Sequence, residues 1–137
     1  LVFGAGGAGS AIVISFLEQG AGEVAVYDAD EARSAKLVEM LKPTAGDRVY
    51  VGSNNPKGYD IVSNATPMGM DDNDPTPFDT SLLEASMFVG DVVAGHGETK
   101  LMKAARDAGC QTADGDAMVV AVLDVMCDFL LEAWQHD

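Results

Sequence analysis

Leu1-Val2-Phe3-Gly4-Ala5-Gly6-Gly7-Ala8-Gly9-Ser10 is the stretch on which the reading of this chain turns. An apolar triplet with strand character runs into Gly4-Ala5-Gly6-Gly7-Ala8-Gly9, which satisfies G-x-G-x-x-G. Glycines at that spacing let backbone amides and a helix N-terminus approach a pyrophosphate without steric hindrance. Ser10 onward predicts the helix, through Ala11-Ile12-Val13-Ile14-Ser15-Phe16-Leu17-Glu18-Gln19, with Gly20 and Gly22 as stop signals. Glu23-Val24-Ala25-Val26-Tyr27 predicts a second strand that delivers Asp28 about 20 residues beyond the last glycine, where a carboxylate holds a ribose hydroxyl pair. The glycine motif alone is a weak signal. Strand, motif, helix, strand and acid in register point to a dinucleotide site.

The chain has 137 residues, enough for one domain with a proper core. Because it opens inside a strand without a methionine, the expectation is a fragment, residues 1–137, of a larger protein. The formal charge of −14 argues against duplex nucleic acid or an anionic membrane as partner. It leaves a dinucleotide open, since backbone dipoles rather than net charge hold the phosphates. Cys110 and Cys127 lack metal-ligand spacing and read as reduced core residues of a cytoplasmic protein. Asp71, Asp72 and Asp74 lack the rest of a calcium loop and read as solvated charge, so no metal is expected.

Further along, Glu31 to Leu41 has helical spacing and is expected to end at Pro43. Arg48 to Val51, Tyr59 to Asn64, Met87 to Val93 and Cys110 to Ala113 supply four more strands. The third crossover, through Gly52 to Gly58, must be short or irregular. A solvated loop covers Asp71 to Asp79, a helical turn Ser81 to Ala85, and an amphipathic helix Thr99 to Asp107. The last helix, Asp116 to Glu132, is apolar except for a stripe at Asp124, Asp128 and Glu132. It is too short in its apolar run to cross a bilayer. It reads instead as packed on several sides, against its own sheet and against a further domain. The fold class that follows is α/β: a Rossmann-like three-layer domain with a mostly parallel sheet of about six strands.

The motif order resembles the cofactor-binding domain of the shikimate and quinate dehydrogenases over nearly the whole chain. The resemblance is carried by the glycine run, by Asn64-Ala65-Thr66-Pro67-Met68-Gly69-Met70, and by Gly90-Asp91-Val92-Val93. Glu98-Thr99-Lys100-Leu101-Met102-Lys103-Ala104-Ala105, Gly109-Cys110, and Asp114-Gly115 with Met118 extend it. It implies an oxidoreductase that moves a hydride between a nicotinamide cofactor and a cyclic hydroxy acid such as shikimate or quinate. It also implies a small-molecule substrate bound through an N-terminal domain that carries the catalytic lysine and aspartate, so no catalytic residue is assigned within this chain. A homodimer is compatible with it.

By the same resemblance, Gly4, Ala5, Gly6, Gly7, Ala8 and Gly9 cradle the pyrophosphate. Where the family commonly has Asn-Arg-Thr, this chain has Asp28-Ala29-Asp30. Carboxylates there repel a 2′-phosphate and suit free ribose hydroxyls, so NAD is expected over NADP. Arg33 is either an adenine or phosphate contact or a solvated helix charge. Asn64 and Thr66 lie near the nicotinamide ribose, although both types also satisfy local turns. The Val92 backbone, Gly115 and Met118 flank the nicotinamide ring, with a plain core role open for Met118. The chain departs from the family at Ala94, where a tyrosine is usual, and at Val122, where a glutamine reaches substrate hydroxyls. His96, between two glycines, either binds substrate or donates a proton, or is an exposed loop residue. A non-catalytic NAD-sensing domain and a methyltransferase remain rival readings of the glycine motif.

Overall fold

In the computed structural model, which describes residues 1–135, short apolar segments pair into one six-stranded sheet in the order β3-β2-β1-β4-β5-β6. The strands are β1 (Val2–Phe3), β2 (Val24–Tyr27), β3 (Val49–Val51), β4 (Ile61–Asn64), β5 (Phe88–Asp91) and β6 (Gln111–Ala113). Every pairing is parallel, which makes the expected mostly parallel sheet wholly so. The helices are α1 (Gly7–Glu18), α2 (Glu31–Ala45), α3 (Lys100–Asp107) and α4 (Gly115–Gln135). The strand order reverses between β1 and β4, the switch point at which open α/β sheets hold ligands.

Alternation along each strand feeds two apolar layers. Val2, Val24, Val26 and Val49 face α1 and α2 and pack with Val13, Leu17, Leu37 and Val38. Phe3, Ala25, Val62 and Val89 face the other way, onto Leu101, Met102 and Ala105 of α3 and onto Phe78 and Leu83 of the β4–β5 connection. Phe78 stacks on Phe3 with ring centroids 4.7 Å apart. That connection is otherwise polar, as expected, with a short 3-10 turn at Thr80–Leu82 in place of the helical turn over Ser81 to Ala85. The β3–β4 crossover has no helix.

Three expectations are corrected. Pro43 does not end α2, which continues to Ala45 and is closed by Gly46 at φ +60°. Pro43 sits in the last turn, with Thr44 and Ala45 still helical beyond it. Cys127 is exposed, and only Cys110 joins the core, its thiol pushed up from its ordinary range by burial. The largest correction concerns α4. From Val119 to Trp134 its residues are exposed, among them Leu123, Val125, Phe129, Leu130 and Trp134. A continuous helix cannot double back, so its apolar surface stands clear of its own sheet.

The sheet beneath the first turns of α4 is only partly covered. Ser63, Gly90 and Ala113 occupy one row across β4, β5 and β6. They floor a groove of about 440 Å³ walled by Ala8, Ala11, Ile12 and Ser15 of α1 and by Met118 and Val122 of α4. No described helix is long and apolar enough to cross a membrane.

Candidate functional site: the carboxyl edge of the sheet

The glycine turn leaves β1 through Gly4, whose φ of +100° disfavours any side chain. Its amide donates to Tyr27 O at 2.7 Å. A Cβ on Gly9 would stand 1.8 Å from Gly4 O, so the absence of a side chain there lets α1 start directly against the strand. Gly6 and Gly7 differ. A Cβ at either would meet nothing within 4 Å, and the space above them is open. Gly6 offers α1 no side-chain cap, and the first turn has no acid. The amides of Gly7, Ala8 and Gly9 therefore have no acceptor among the described residues. The other helices are capped: α2 by Asp30, α3 by Thr99, and α4 by Asp114, which accepts from Ala117 N at 2.9 Å. Open amides on a positive helix end suit an anion.

Asp28, at the end of β2, accepts from Ala5 N at 2.8 Å through Oδ2 and from Asp30 N at 2.9 Å through Oδ1. It locks the glycine turn to the neighbouring strand and keeps lone pairs on both oxygens. Asp30 is exposed and caps α2 through Ala32 N at 3.1 Å. Arg33, 3.9 Å from Asp30, is exposed. It lines a cavity of about 320 Å³ with Ala5, Gly6, Ser10 and Lys36. The glycine turn, both acids and Arg33 are thus brought together; Ser10 and Lys36 join them without a motif to announce them.

The turn after β4 touches the glycine turn: a Cβ on Gly4 would lie 2.9 Å from Ala65 O and 3.1 Å from Thr66 Cγ2. Asn64 is fully buried. Its Nδ2 donates to Met68 O at 3.2 Å and to Asp91 Oδ1 at 3.0 Å, and its Oδ1 accepts from Thr66 N at 3.1 Å and Thr66 Oγ1 at 2.6 Å. Both hydrogens and both lone pairs are occupied. Thr66 Oγ1 also accepts from Met68 N at 3.2 Å. Asp91 Oδ2 accepts from Thr99 Oγ1 at 2.8 Å, tying the network to the cap of α3. Asn64 is placed at the expected edge, but its side chain builds the turn. Asp91 and Thr99 lie within the quoted motifs but carried no assigned role, although an acid within an apolar strand was the available signal.

At the far side, Val92 is half-buried and donates from its amide to Asn64 O at 3.0 Å. Gly115 packs so tightly on the end of β5 that a Cβ would come within 2.1 Å of Val93 O. Met118 is half-buried beside Val92 in the groove wall. Arg106 joins this edge, pairing with Glu98 and, at 3.2 Å, with Asp114. Ala117 N, together with Arg106, holds the Asp114 carboxyl below its ordinary range, so the cap of α4 is a carboxylate. Among the described residues no group of acids, histidines or cysteines is arranged to hold a metal.

Known proteins share this fold over most of the chain. No protein-family model matches the chain. The quinate/shikimate dehydrogenase (NAD(+)) of Corynebacterium glutamicum strain R is 37% identical over 123 residues, covering 85% of this chain and 44% of that protein. The shikimate dehydrogenase (NADP(+)) of Streptomyces avermitilis is 40% identical over 123 residues, covering 85% of this chain and 42% of that protein. A solved structure of Corynebacterium glutamicum quinate dehydrogenase in complex with NAD superposes with a TM-score of 0.78 at 37% identity, over 87% of this chain and 44% of that one.

The chain is homologous to the shikimate/quinate dehydrogenases over most of its own length. It spans less than half the length of the family members it matches. Its all-parallel sheet is the family's Rossmann-like fold, and its glycine turn stands at the switch point of that fold. The family members it resembles are named for NAD in one case and for NADP in another.

Proposed function

We propose that this chain is the NAD-binding domain of an oxidoreductase that acts on a cyclic hydroxy acid of the quinate or shikimate type. The observation that carries the reading is the uncapped start of α1, with open space over Gly6 and Gly7 and Asp28 bracing the turn. That cradle fits a diphosphate, and likeness to family members named for quinate, shikimate and NAD supports the reading.

The amides of Gly7, Ala8 and Gly9 grip the diphosphate, and the α1 dipole favours its charge. Asp28 and Asp30 accept from the hydroxyls of the adenosine ribose, and the same carboxylates disfavour a 2′-phosphate. Arg33 lies beside the adenine. The buried Asn64–Asp91–Thr99 network acts as a positioning device: it braces the Thr66 turn and the Val92 backbone, which would border the nicotinamide ribose. Gly115 and Met118 border the ring. When bound, the cofactor supplies the hydride acceptor at C4 of its nicotinamide. The proton taken from the substrate alcohol needs a base beside the carbinol carbon. The proposal assigns that base to a lysine and an aspartate of a substrate domain in the other half of the full-length protein. That half also covers the apolar face of α4 and its groove. Closure of both halves over this edge would bring the substrate carbinol to the nicotinamide that these residues would hold.

The test is calorimetric titration of the full-length protein with NAD, NADP and S-adenosylmethionine. The expected result is micromolar binding of NAD, weaker binding of NADP by about tenfold or more, and none of the third. Absence of affinity for both nicotinamide cofactors overturns the reading. In the Asp28→Ala variant, affinity for NAD is expected to fall about tenfold, the scale of one charge-assisted hydrogen bond.

A further inference from the structure

Each nitrogen of the Arg106 guanidinium is engaged on a different segment of the chain. Nη1 pairs with Glu98, which immediately precedes Thr99, the cap of α3. Nε donates to Thr112 Oγ1 of β6 at 3.4 Å, and Nη2 pairs at 3.2 Å with Asp114 Oδ2, whose other oxygen caps α4. No other cation among the described residues pairs with two acids. Exposed ion pairs of this kind add little to the stability of a fold. A planar fork that grips three segments at once does something else: it fixes their mutual directions.

What those segments share is the first turn of α4. That helix is anchored at one end, since Gly115 is buried while Val119 to Trp134 are exposed. Two of its anchors come from the segment after β5: Gly115 fits closely under Val93 O, and Gly95 N donates to Asp116 Oδ1 at 2.8 Å. Anchors on one side alone leave a helix free to pivot about them. Arg106 supplies the anchor from the other side, out of α3 and across β6. Met118 is one turn into the helix and stands with Val92 in the groove wall, so a pivot moves it directly.

We infer that Arg106 is a positioning residue for the nicotinamide end of the cofactor: by holding Glu98, Thr112 and Asp114 together, it sets Gly115 and Met118 against Val92. The inference rests on the function proposed above and adds a residue that acts through its neighbours. Its contribution falls on orientation. A displacement of about 1 Å at a reacting centre costs far more rate than the weak contact that prevented it is worth in stability. The diphosphate cradle at the start of α1 lies outside the clasp and does not depend on it.

Steady-state kinetics of the full-length enzyme with NAD and quinate, and in parallel with shikimate, test it through Arg106→Met, Arg106→Lys and Asp114→Asn. ADP-ribose, which carries the adenosine and diphosphate but no nicotinamide, serves as a competitive inhibitor against NAD. In Arg106→Met, kcat/KM for NAD is expected to fall about tenfold, while the inhibition constant of ADP-ribose stays within about twofold and the thermal midpoint within about 2 °C. Arg106→Lys is expected to fall between the two, because a point charge cannot span three acceptors. Asp114→Asn keeps the α4 cap and loses the charge, so about a threefold fall is expected. Joined to Arg106→Met it is expected to add nothing, since both remove one contact. An unchanged kcat/KM in Arg106→Met overturns the inference. So does a rise in the ADP-ribose constant in parallel with KM for NAD, which marks general support of the fold. Failure of the functional reading looks different: wild-type enzyme that neither binds ADP-ribose nor reduces NAD overturns that reading, and the role of Arg106 falls with it.

Discussion

The turns that follow β1 and β4 lie side by side at the switch point, yet they handle their polar groups in opposite ways. After β1, the amides of Gly7, Ala8 and Gly9 have no acceptor among the described residues, and the space over Gly6 and Gly7 is open. After β4, each donor and acceptor of Asn64 has a partner, and the network continues through Asp91 to the cap of α3. The difference separates a surface prepared for a ligand from the frame that holds it. Unsatisfied donors at a helix start are inexpensive while water reaches them, and they become strong when an anion replaces the water. A buried amide like Asn64 has no such freedom, because each lost partner leaves a polar group stranded.

Four substitutions test that contrast, beginning with the largest effect. Gly9→Val drives a side chain into Gly4 O, where even a Cβ stands at 1.8 Å. It is expected to cost about 3 kcal/mol or more, the upper range for overpacking, as read from urea unfolding. Full stability in this variant would contradict the close approach of α1 to β1. Asn64→Ala removes the hub of the buried network and leaves Met68 O and one lone pair of Asp91 without their donor. The expected loss is about 2–3 kcal/mol of stability by the same measurement. If NAD affinity falls while stability holds, Asn64 is a ligand contact and the contrast is broken.

Gly6→Ala sharpens the comparison from the other side. Gly6 has extended φ and ψ of −82° and −160°, and a Cβ there meets nothing. Stability is expected to stay within about 0.5 kcal/mol of wild type, while NAD binding measured by calorimetry weakens about tenfold as the methyl group crowds the phosphate path. Asp30→Ser has the smallest effect. Serine keeps the α2 cap, so unfolding is unchanged within a few tenths of a kcal/mol. The ratio of NAD to NADP affinity is expected to drop about fivefold as one repelling charge leaves. An unchanged ratio assigns the discrimination to Asp28 alone.

How far the fold could be read along the chain varied with how local its causes were. The strand–glycine–helix–strand–acid series was legible because each part is a short-range signal: apolar runs, missing side chains and an acid at a fixed offset. The end of α2 was misread, since Pro43 in a last turn loses only a bond that the turn can forgo. At the candidate site, Asp28 and the glycines stood out as motif positions. The roles of Arg106, Asp91 and Thr99 did not, because their partners are 8 to 27 residues away and only folding brings them together. Asn64 was located correctly, yet whether its amide turns inward or toward a ligand depends on Asp91 lying across the β4–β5 pair.

Local chemistry alone, then, determined the parallel α/β order, the phosphate-type turn and the acids that follow β2, since each follows from residue type and spacing along the chain. The tertiary structure decided which polar groups remain free. It closes the Asn64 turn, clamps the loop carrying His96 to α4, and leaves the apolar surface of α4 bare. Those outcomes depend on which distant strands and helices become neighbours, and hydrogen-bond saturation and burial are properties of neighbours in space.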